Sequence, residues 1–316
     1  LKAAGLIKML GEEVDATYLD LVKTVTVDPA LVHEMSKEMK LVFTPLHGTG
    51  QMLGERALKN AGFEGIYLVP EQAVADPNFS TVKSPNPEEA GAFEYAIKLG
   101  TELDADILVA TDPDADRLGA AVRKVKGEYV VLTGNQIASL MLDYLLRAKK
   151  AAGTLPANGT ALKSIVSSEL PTAIAKSYGA DMVDVLTGFK FIAEKIKQYE
   201  EDHSKEFLFG FEESYGYLAK PFVRDKDAIQ ALVLIAEVAA YYKKKGQTLY
   251  DGLVEIFETH GYYKEQTISV TMSGITGAEK IKALMAKFRA EAPADFAGIA
   301  VSITEDFGNS TKTFPD

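Results

Sequence analysis

The chain repeats one pattern twice: short runs rich in β-branched and aromatic residues alternate with longer runs of helical periodicity. This alternation is typical of βα units, in which helices cross over between parallel strands. One series runs from about residue 40 to 132, and a second from about residue 134 to 245. We therefore predict an α/β fold with two consecutive three-layer α/β domains on mainly parallel sheets, followed by a C-terminal β/α appendage.

The predicted domain boundaries follow the breaks in this pattern. Residues 1–13 are interpreted as the end of a preceding helix or domain, and residues 14–130 as the first α/β domain. Residues 131–263 form the second α/β domain, and residues 264–316 an appendage that leads to a further C-terminal domain. Neither an initiator Met nor a secretory signal opens the sequence, so we predict a fragment of a longer protein.

The periodicity also predicts individual elements. In the first domain the predicted strands and the hairpin cover 40–44, 65–69, 105–110, 118–123 and 128–132, with helices over 51–62 and 88–100. Asn86 as N-cap and Pro87 at the first helical position mark the start of the second helix. In the second domain and the appendage, the predicted strands cover 161–167, 181–186, 206–211, 267–272 and 298–304, with helices over 134–150, from Glu169, over 187–200, from Asp225 and over 277–289.

Composition excludes several classes of protein. The 316 residues include 34 basic and 45 acidic side chains, and the formal net charge is −11. This charge disfavours a general binder of nucleic acids or anionic membranes, although it leaves room for a local basic pocket. No apolar run approaches the roughly 20 residues of a membrane span. Cysteine is absent, which excludes disulfides and fits a reducing, cytoplasmic location.

The most informative stretch is TDPDADRLG, which places Asp112, Asp114 and Asp116 at alternate positions directly after a predicted strand. Open α/β sheets bind ligands at the carboxyl ends of their strands. Carboxylates about 4 Å apart repel one another by roughly 4 kcal/mol at an effective dielectric near 20, so a cation is expected between them. Because hard oxygen ligands suit Mg²⁺, we predict that the three aspartates bind this ion.

Arg117 follows the triplet and indicates phosphate chemistry. A guanidinium beside a divalent cation can hold phosphoryl oxygens in bidentate fashion, and the two together are typical of phosphoryl transfer. An EF-hand calcium loop is excluded, because Arg117 and Arg123 occupy the loop positions where that motif needs glycine and glutamate. A polar surface turn is the alternative.

A second stretch, FGFEESYGY, also ends a predicted strand. Glu212 and Glu213 would point to opposite faces, which disfavours a glycosidase pair, whereas Glu212 and Ser214 would share a face. A carboxylate beside a hydroxyl suits two adjacent sugar hydroxyls. The full G-x-S-x-G pattern of serine hydrolases is absent around Ser214, and an ordinary cluster of polar residues is the alternative.

Two further stretches place polar groups at helix starts. TGFKFI puts Gly188 and Lys190 at a strand-to-helix junction, where backbone N–H groups and an amine favour anions. VRDKDA puts Arg224 and Lys226 at the start of the long helix, where an ordinary N-cap with solvated neighbours is the alternative.

The stretch TPLHGTGQMLG supplies a hypothesis from another class. Gly48, Gly50 and Gly54 lie between a strand and a helix, and Glu71 follows the next strand, as in dinucleotide-binding loops. The chain would then be an NAD(P)-dependent oxidoreductase. The glycine spacing departs from the usual pattern by one residue, and this hypothesis leaves the aspartate triplet unexplained. A metal-binding module without catalytic activity is a third hypothesis.

Together the motifs resemble the α-D-phosphohexomutase family, the phosphoglucomutases and phosphomannomutases, and are most similar to the branch that includes phosphopentomutases. The segment from Asp112 to Arg117 resembles the family's D-x-D-x-D-R magnesium loop. The segment from Phe211 to Ser214 resembles its G-E-x-S sugar loop, with Phe211 in place of glycine. The resemblance covers roughly residues 10–265.

The resemblance implies an intramolecular phosphotransferase. Such an enzyme moves phosphate between C1 and C6 of an aldohexose, such as glucose or mannose, through a phosphoserine and a bisphosphate intermediate, with Mg²⁺ as cofactor. The family's A-S-H-N-P serine motif and its S-G-T-E-P phosphate loop are both absent from this sequence. The chain therefore resembles the two central domains of a four-domain enzyme, and we predict that it is inactive alone.

The predicted residue roles follow from the resemblance and from the chemistry above. Lys226 is the candidate for handling the hydroxyl proton, and Arg117 for binding the transferring phosphate. A phosphorylated hexose is the expected partner, and neither nucleic acid nor membrane is expected. The predicted substrate-binding residues are Thr187, Gly188, Lys190, Glu212, Ser214 and Arg224.

Overall fold

The structure is a computed structural model that describes residues 1–265, 270, 272 and 274–314. It divides into two units, Leu1–Tyr263 and Lys264–Asp316. The first unit contains two α/β halves, each built on its own sheet.

The first half is built on a five-stranded sheet in the order β2-β1-β3-β4-β5. Strand β1 pairs in parallel with β2 and β3, whereas β4 pairs antiparallel with β3 and β5, so the sheet is mixed. The predicted hairpin is present as β4 and β5. The elements are α1 Glu12–Lys23, α2 Pro29–Met35, β1 Leu41–Thr44, α3 Gly50–Ala61, β2 Ile66–Leu68, α4 Glu94–Leu103, β3 Ile107–Thr111, β4 Leu118–Val125 and β5 Glu128–Val131.

The second half is built on a four-stranded sheet in the order β7-β6-β8-β9. Its first three strands are parallel, and β9 pairs antiparallel with β8. The predicted α/β class is thus confirmed, with an antiparallel edge on both sheets. The elements are α5 Gly134–Ala151, β6 Gly159–Ser164, α6 Leu170–Tyr178, β7 Asp181–Val185, α7 Phe189–Asp202, β8 Glu206–Glu212, β9 Gly216–Leu218, α8 Ala228–Lys244 and α9 Leu249–His260.

The two halves share one hydrophobic core. Phe43 and Val109 of the first sheet and Phe209 of the second belong to the same buried cluster, together with the buried face of α5 and most of α8. Helix α8 is buried along almost its whole length. A helix that is apolar on all sides must be covered on all sides, so separating the halves would expose α8 to water. Helix α4 and helix α7 cover the outer faces of the two sheets.

One predicted helix start is wrong. The helix expected from residue 88 begins instead at Glu94, after a 3₁₀ turn at Ala90–Phe93. Asn86 does not cap it, because its Oδ1 accepts a hydrogen bond from the N–H of Glu88 at 3.0 Å within the loop. Pro87 is buried, and its carbonyl packs against Gly119 of β4. The segment is therefore a loop anchored to the sheet, and Glu88 is free to reach the site described below.

The described part of the second unit contains one helix and two small antiparallel pairs of strands. The predicted helix over 277–289 is present, whereas residues 298–304 hold two short strand segments in place of one strand. The strand predicted over 267–272 lies outside the described residues except for 270 and 272. The elements are α10 Gly274–Ala290, β10 Asp295–Phe296, β11 Ile299–Ala300, β12 Thr304–Asp306 and β13 Thr311–Thr313. Among all described residues of the chain, no helix is long and apolar enough to cross a bilayer.

Candidate active site

The three aspartates of the triplet converge at the end of β3. Asp112 is buried, Asp116 is half-buried and Asp114 is exposed, and one oxygen of each lies within 4.8 Å of the other two. Ala115 has a φ of 60°, a left-handed conformation that makes the tight turn between them. Three hard oxygen donors in one place fit the ligand preference of Mg²⁺.

Asp112 organises this metal loop, residues 112–117. Its Oδ1 accepts hydrogen bonds from the N–H groups of Asp116 at 3.0 Å and Arg117 at 2.9 Å, and its Oδ2 accepts one from Arg117 Nε at 2.8 Å. Burial raises the pKa of Asp112 to about 6 in spite of these bonds, and the nearby charges of Asp116 and Asp114 add to the rise. A cation bound between the carboxylates would offset the repulsion that Asp114 and Asp116 exert on Asp112.

Arg117 is held by acids on both sides. Besides the bond to Asp112, its Nη1 donates to Glu88 Oε1 at 3.0 Å. The sequence patterns do not identify Glu88 as a site residue, because they place it in the first turn of a helix. Glu88 and Arg117 are 29 positions apart, so no local pattern reports their contact.

The glycine-rich segment, residues 44–54, packs against the backbone of the metal loop at Pro113. The N–H of Thr49 donates to Pro113 O at 2.8 Å, and a Cβ on Gly48 would lie 2.3 Å from Pro113 Cα. Only glycine allows so close an approach of two backbones. Gly50 and Gly54 pack in the same way against side chains of the first sheet and of α8. Packing thus accounts for all three glycines, and the dinucleotide-binding hypothesis is not supported.

The predicted sugar-loop motif, residues 211–214, lies at the end of β8, and the name sugar loop is used here for residues 211–217, which continue into β9. Glu212 is buried, and its Oε1 accepts a hydrogen bond at 2.7 Å from the N–H of Gly188, whose φ of 117° favours glycine. Burial raises the pKa of Glu212, while the bond from Gly188 opposes the rise. Glu213 has other partners, since its Oε2 accepts a hydrogen bond from Ser164 Oγ at 2.8 Å. Ser214 is half-buried in the turn that follows.

Lys226 connects the two loops. Its Nζ lies 3.0 Å from Asp116 Oδ2 and 3.1 Å from Asp225 Oδ1, and its aliphatic chain covers Gly216. Burial would lower the pKa of Lys226, but hydrogen bonds and attraction from the two aspartates outweigh burial and raise it. The two aspartates thus favour the charged form of Lys226, an ammonium that can stabilise negative charge and donate a proton.

Main-chain hydrogen bonds join the metal loop to the sugar loop. The N–H of Leu118 donates to Tyr215 O at 3.0 Å, and Arg117 and Gly216 form an isolated antiparallel bridge. A groove of about 310 Å³ opens between the metal loop and the start of α8. Residues of the sugar loop do not line this groove, so the two loops are joined by their backbones and by Lys226.

The remaining predicted residues lie at the edge of this site. Thr187 and Lys190 are exposed at the start of α7. Arg224 is also exposed, and its guanidinium forms an ion pair with Glu200 of α7. The structure therefore brings the three aspartates, Arg117 and Lys226 together. The side chains of Thr187, Lys190 and Arg224 lie outside this cluster.

Fold and site together define an α/β protein with a carboxylate metal loop bonded to a glutamate-bearing loop of a second α/β half. Two models of one family match the chain: the α/β/α domain II of phosphoglucomutase/phosphomannomutase at residues 16–127, and domain III at residues 133–257. The chain belongs to the phosphoglucomutase/phosphomannomutase family.

Known relatives agree with this assignment. A phosphoglucomutase of Staphylococcus aureus (strain USA300) is 42% identical over 270 residues, which are 85% of this chain and 48% of that protein. A phosphoglucomutase/phosphomannomutase family protein from Burkholderia thailandensis has a similar fold, with a TM-score of 0.62 at 17% identity over 92% of this chain and 54% of its own. A third, the Aspergillus fumigatus N-acetylphosphoglucosamine mutase in complex with GlcNAc-6P and magnesium, has a TM-score of 0.52 at 16% identity over 81% and 52% of the two chains. This chain spans about half the length of the phosphoglucomutases it matches.

Proposed function

We propose that this chain supplies the metal loop and the sugar loop of a magnesium-dependent phosphosugar mutase. The enzyme would move phosphate between C1 and C6 of an aldohexose such as glucose, through a phosphoserine and a bisphosphate intermediate. The observation that carries the proposal is the convergence of the three aspartates beside Arg117 and Lys226. Family membership supports it, as does the Aspergillus relative bound to a phosphosugar and magnesium.

Each residue's contacts suggest its role in this proposal. Mg²⁺ bound by the triplet would neutralise charge on the phosphoryl group. Arg117, aligned by Asp112 and Glu88, would hold phosphoryl oxygens. Lys226 would handle the hydroxyl proton and stabilise charge beside Asp116. Glu212 and Ser214 would bind sugar hydroxyls. The further proposed contacts to substrate are Thr187, Gly188, Lys190 and Arg224.

We also propose that this chain alone does not convert phosphosugars. Its proposed location is the cytoplasm. Phosphoryl transfer needs a nucleophile, a metal ion and phosphate-binding groups held in fixed positions relative to one another. The family's serine motif and phosphate loop do not occur in this sequence. Conversion of glucose 1-phosphate to glucose 6-phosphate by the purified chain, measured in a coupled assay, would contradict this part of the proposal.

Calorimetric titration with Mg²⁺ tests the metal loop. The chain is expected to show one saturable site, and Asp114→Asn is expected to weaken it about tenfold or more, because a charged ligand is lost. Asp20→Asn on α1 is the matched control: it removes the same charge at an exposed position outside the loop, and should leave the affinity unchanged. Equal affinities in the two variants would exclude the proposed metal site.

A further inference from the structure

A second cavity lies at the end of β8 opposite to Glu212. It has a volume of about 560 Å³, within the usual range for small-molecule sites. Its lining comes from the start of β8, the residues after β9, the C-terminal part of α5, the end of α7 and residues 24–27 between α1 and α2. None of these residues belongs to the metal loop or the sugar loop.

One wall of the cavity is held rigid by α8. The N–H groups of Val27 and Asp28 donate to the buried carboxylate of Glu237 at 3.0 Å and 2.6 Å, and the hydroxyl of Tyr144 donates to it at 2.7 Å. Residues 24–27 are therefore anchored in place. A preformed wall lowers the ordering cost that a ligand must meet on binding.

Two lysines that line this cavity, Lys149 and Lys220, form no ion pair within the part of the chain that the structure describes. Lys220 is half-buried, and burial lowers its pKa. The charge of Lys149 lowers that pKa further, and the exposed Glu206 opposes the effect. A partly desolvated ammonium that lines the same cavity as a second lysine favours an anion as its partner.

The other charged groups at the cavity are mostly paired. Lys205 binds Asp181 outside the lining, and the carboxylate of Glu200 is already paired with Arg224, so Glu200 does not offset the two lysines. Glu206 is the remaining acid, and His203 lies exposed at the edge. A local excess of positive charge thus occurs in a chain whose net charge is −11.

We propose that this cavity binds a small organic anion, a phosphate monoester or a carboxylate carried on an apolar body. Lys149 and Lys220 would contact the anionic group, and the apolar side chains of Leu145, Ile196 and Leu208 would contact the body. The site does not depend on the proposed mutase function, because it shares no residue with it.

Calorimetry on the whole chain tests this site with three probes: phenyl phosphate, benzoate and phenol. At least one of the two anions is expected to bind saturably, about tenfold or more tighter than neutral phenol. Lys220→Gln should weaken that binding about tenfold or more, the loss expected for one charge-assisted hydrogen bond, and Lys220→Arg should restore most of it. Lys149→Gln is the second variant if Lys220→Gln fails to fold.

Lys124→Gln on β4 removes a lysine outside the cavity and should leave the binding unchanged. Absence of saturable binding of both anions to the unmodified chain overturns the proposal. Binding that survives within about twofold in Lys220→Gln and Lys149→Gln, but is lost in Lys226→Gln, also overturns it, because the anion then occupies the aspartate site.

Discussion

Gly48 determines how closely the glycine-rich segment approaches the metal loop. In Gly48→Ala, the new methyl group would lie 2.3 Å from Pro113 Cα, so the backbone of one segment must move. We expect a loss of about 1–3 kcal/mol in the free energy of unfolding, together with weaker Mg²⁺ binding as the aspartates are displaced. Denaturant titration and calorimetry measure the two effects.

Gly11→Ala provides the comparison, because a Cβ there meets nothing within 4 Å. If Gly48→Ala binds Mg²⁺ as tightly as Gly11→Ala does, Gly48 does not support the metal loop in the way described.

Tyr18 stabilises the start of α8 beside Lys226. Its hydroxyl donates to the carboxylate of Asp227 at 2.8 Å and 2.9 Å, and Asp227 caps α8 through the N–H groups of Ile229 and Gln230. Tyr18→Phe leaves this buried carboxylate with one donor fewer, so we expect a loss of about 1–3 kcal/mol in the free energy of unfolding. Tyr67→Phe, on a more exposed tyrosine of β2, should change stability little in the same denaturation experiment.

At the scale of elements, sequence patterns predict what local signals determine. Gly62, in the left-handed conformation with a φ of 114°, ends α3 where the sequence predicted a stop. The helix start predicted from Asn86 and Pro87 is wrong, because the same residues that begin a helix also suit a turn. Whether residues 86–88 form a helix or a loop depends on partners far along the chain. Arg117 binds Glu88, and the missing side chain of Gly119 leaves room for the backbone of Pro87.

Helix α8 carries a pH-sensitive contact at its centre. Burial raises the pKa of Glu237, although hydrogen bonds from Tyr144, Asp28 and Val27 oppose the rise. The folded chain therefore binds this proton more tightly than the unfolded chain, and Glu237 makes stability fall as pH rises through its folded pKa. Glu237→Gln lacks this dependence, so its stability deficit relative to the unmodified chain should shrink between about pH 5 and about pH 8.

Urea denaturation at the two pH values measures this difference. Glu194→Gln, at an exposed position of α7, should show a difference that does not change with pH. A constant deficit in Glu237→Gln would mean that the carboxylate of Glu237 titrates normally.

At the scale of the whole molecule, the sequence predicted two α/β halves but not their shared core. The signal was present in the run AIQALVLIAEVAA of α8, whose apolar residues occupy every side of the helix. The aspartate triplet was equally visible, because its spacing is local. The contact of Lys226 with Asp116 and the bridge between the loops join residues from different halves, and no local pattern reports such pairs.

The shared core predicts cooperative unfolding of residues 1–263. Far-ultraviolet circular dichroism and tyrosine fluorescence should give coincident denaturation curves, since tryptophan is absent and tyrosines occur in both halves. Leu232→Ala, at a fully buried position of α8, should shift both curves together. The free energy of unfolding obtained from each should fall by about 2–5 kcal/mol. Two separate transitions would show that the halves fold independently.

The bridge between Arg117 and Gly216 also bears on how such chains are inherited and recombined. Exchanging one half for that of a relative would pair two backbones at Arg117 and Gly216, the border between the halves, that did not evolve together. Mutations at the border are therefore expected to accumulate in compensating pairs over evolution. For engineered hybrids, the natural crossover points lie ahead of α1 or beyond Tyr263, so that both halves come from a single parent.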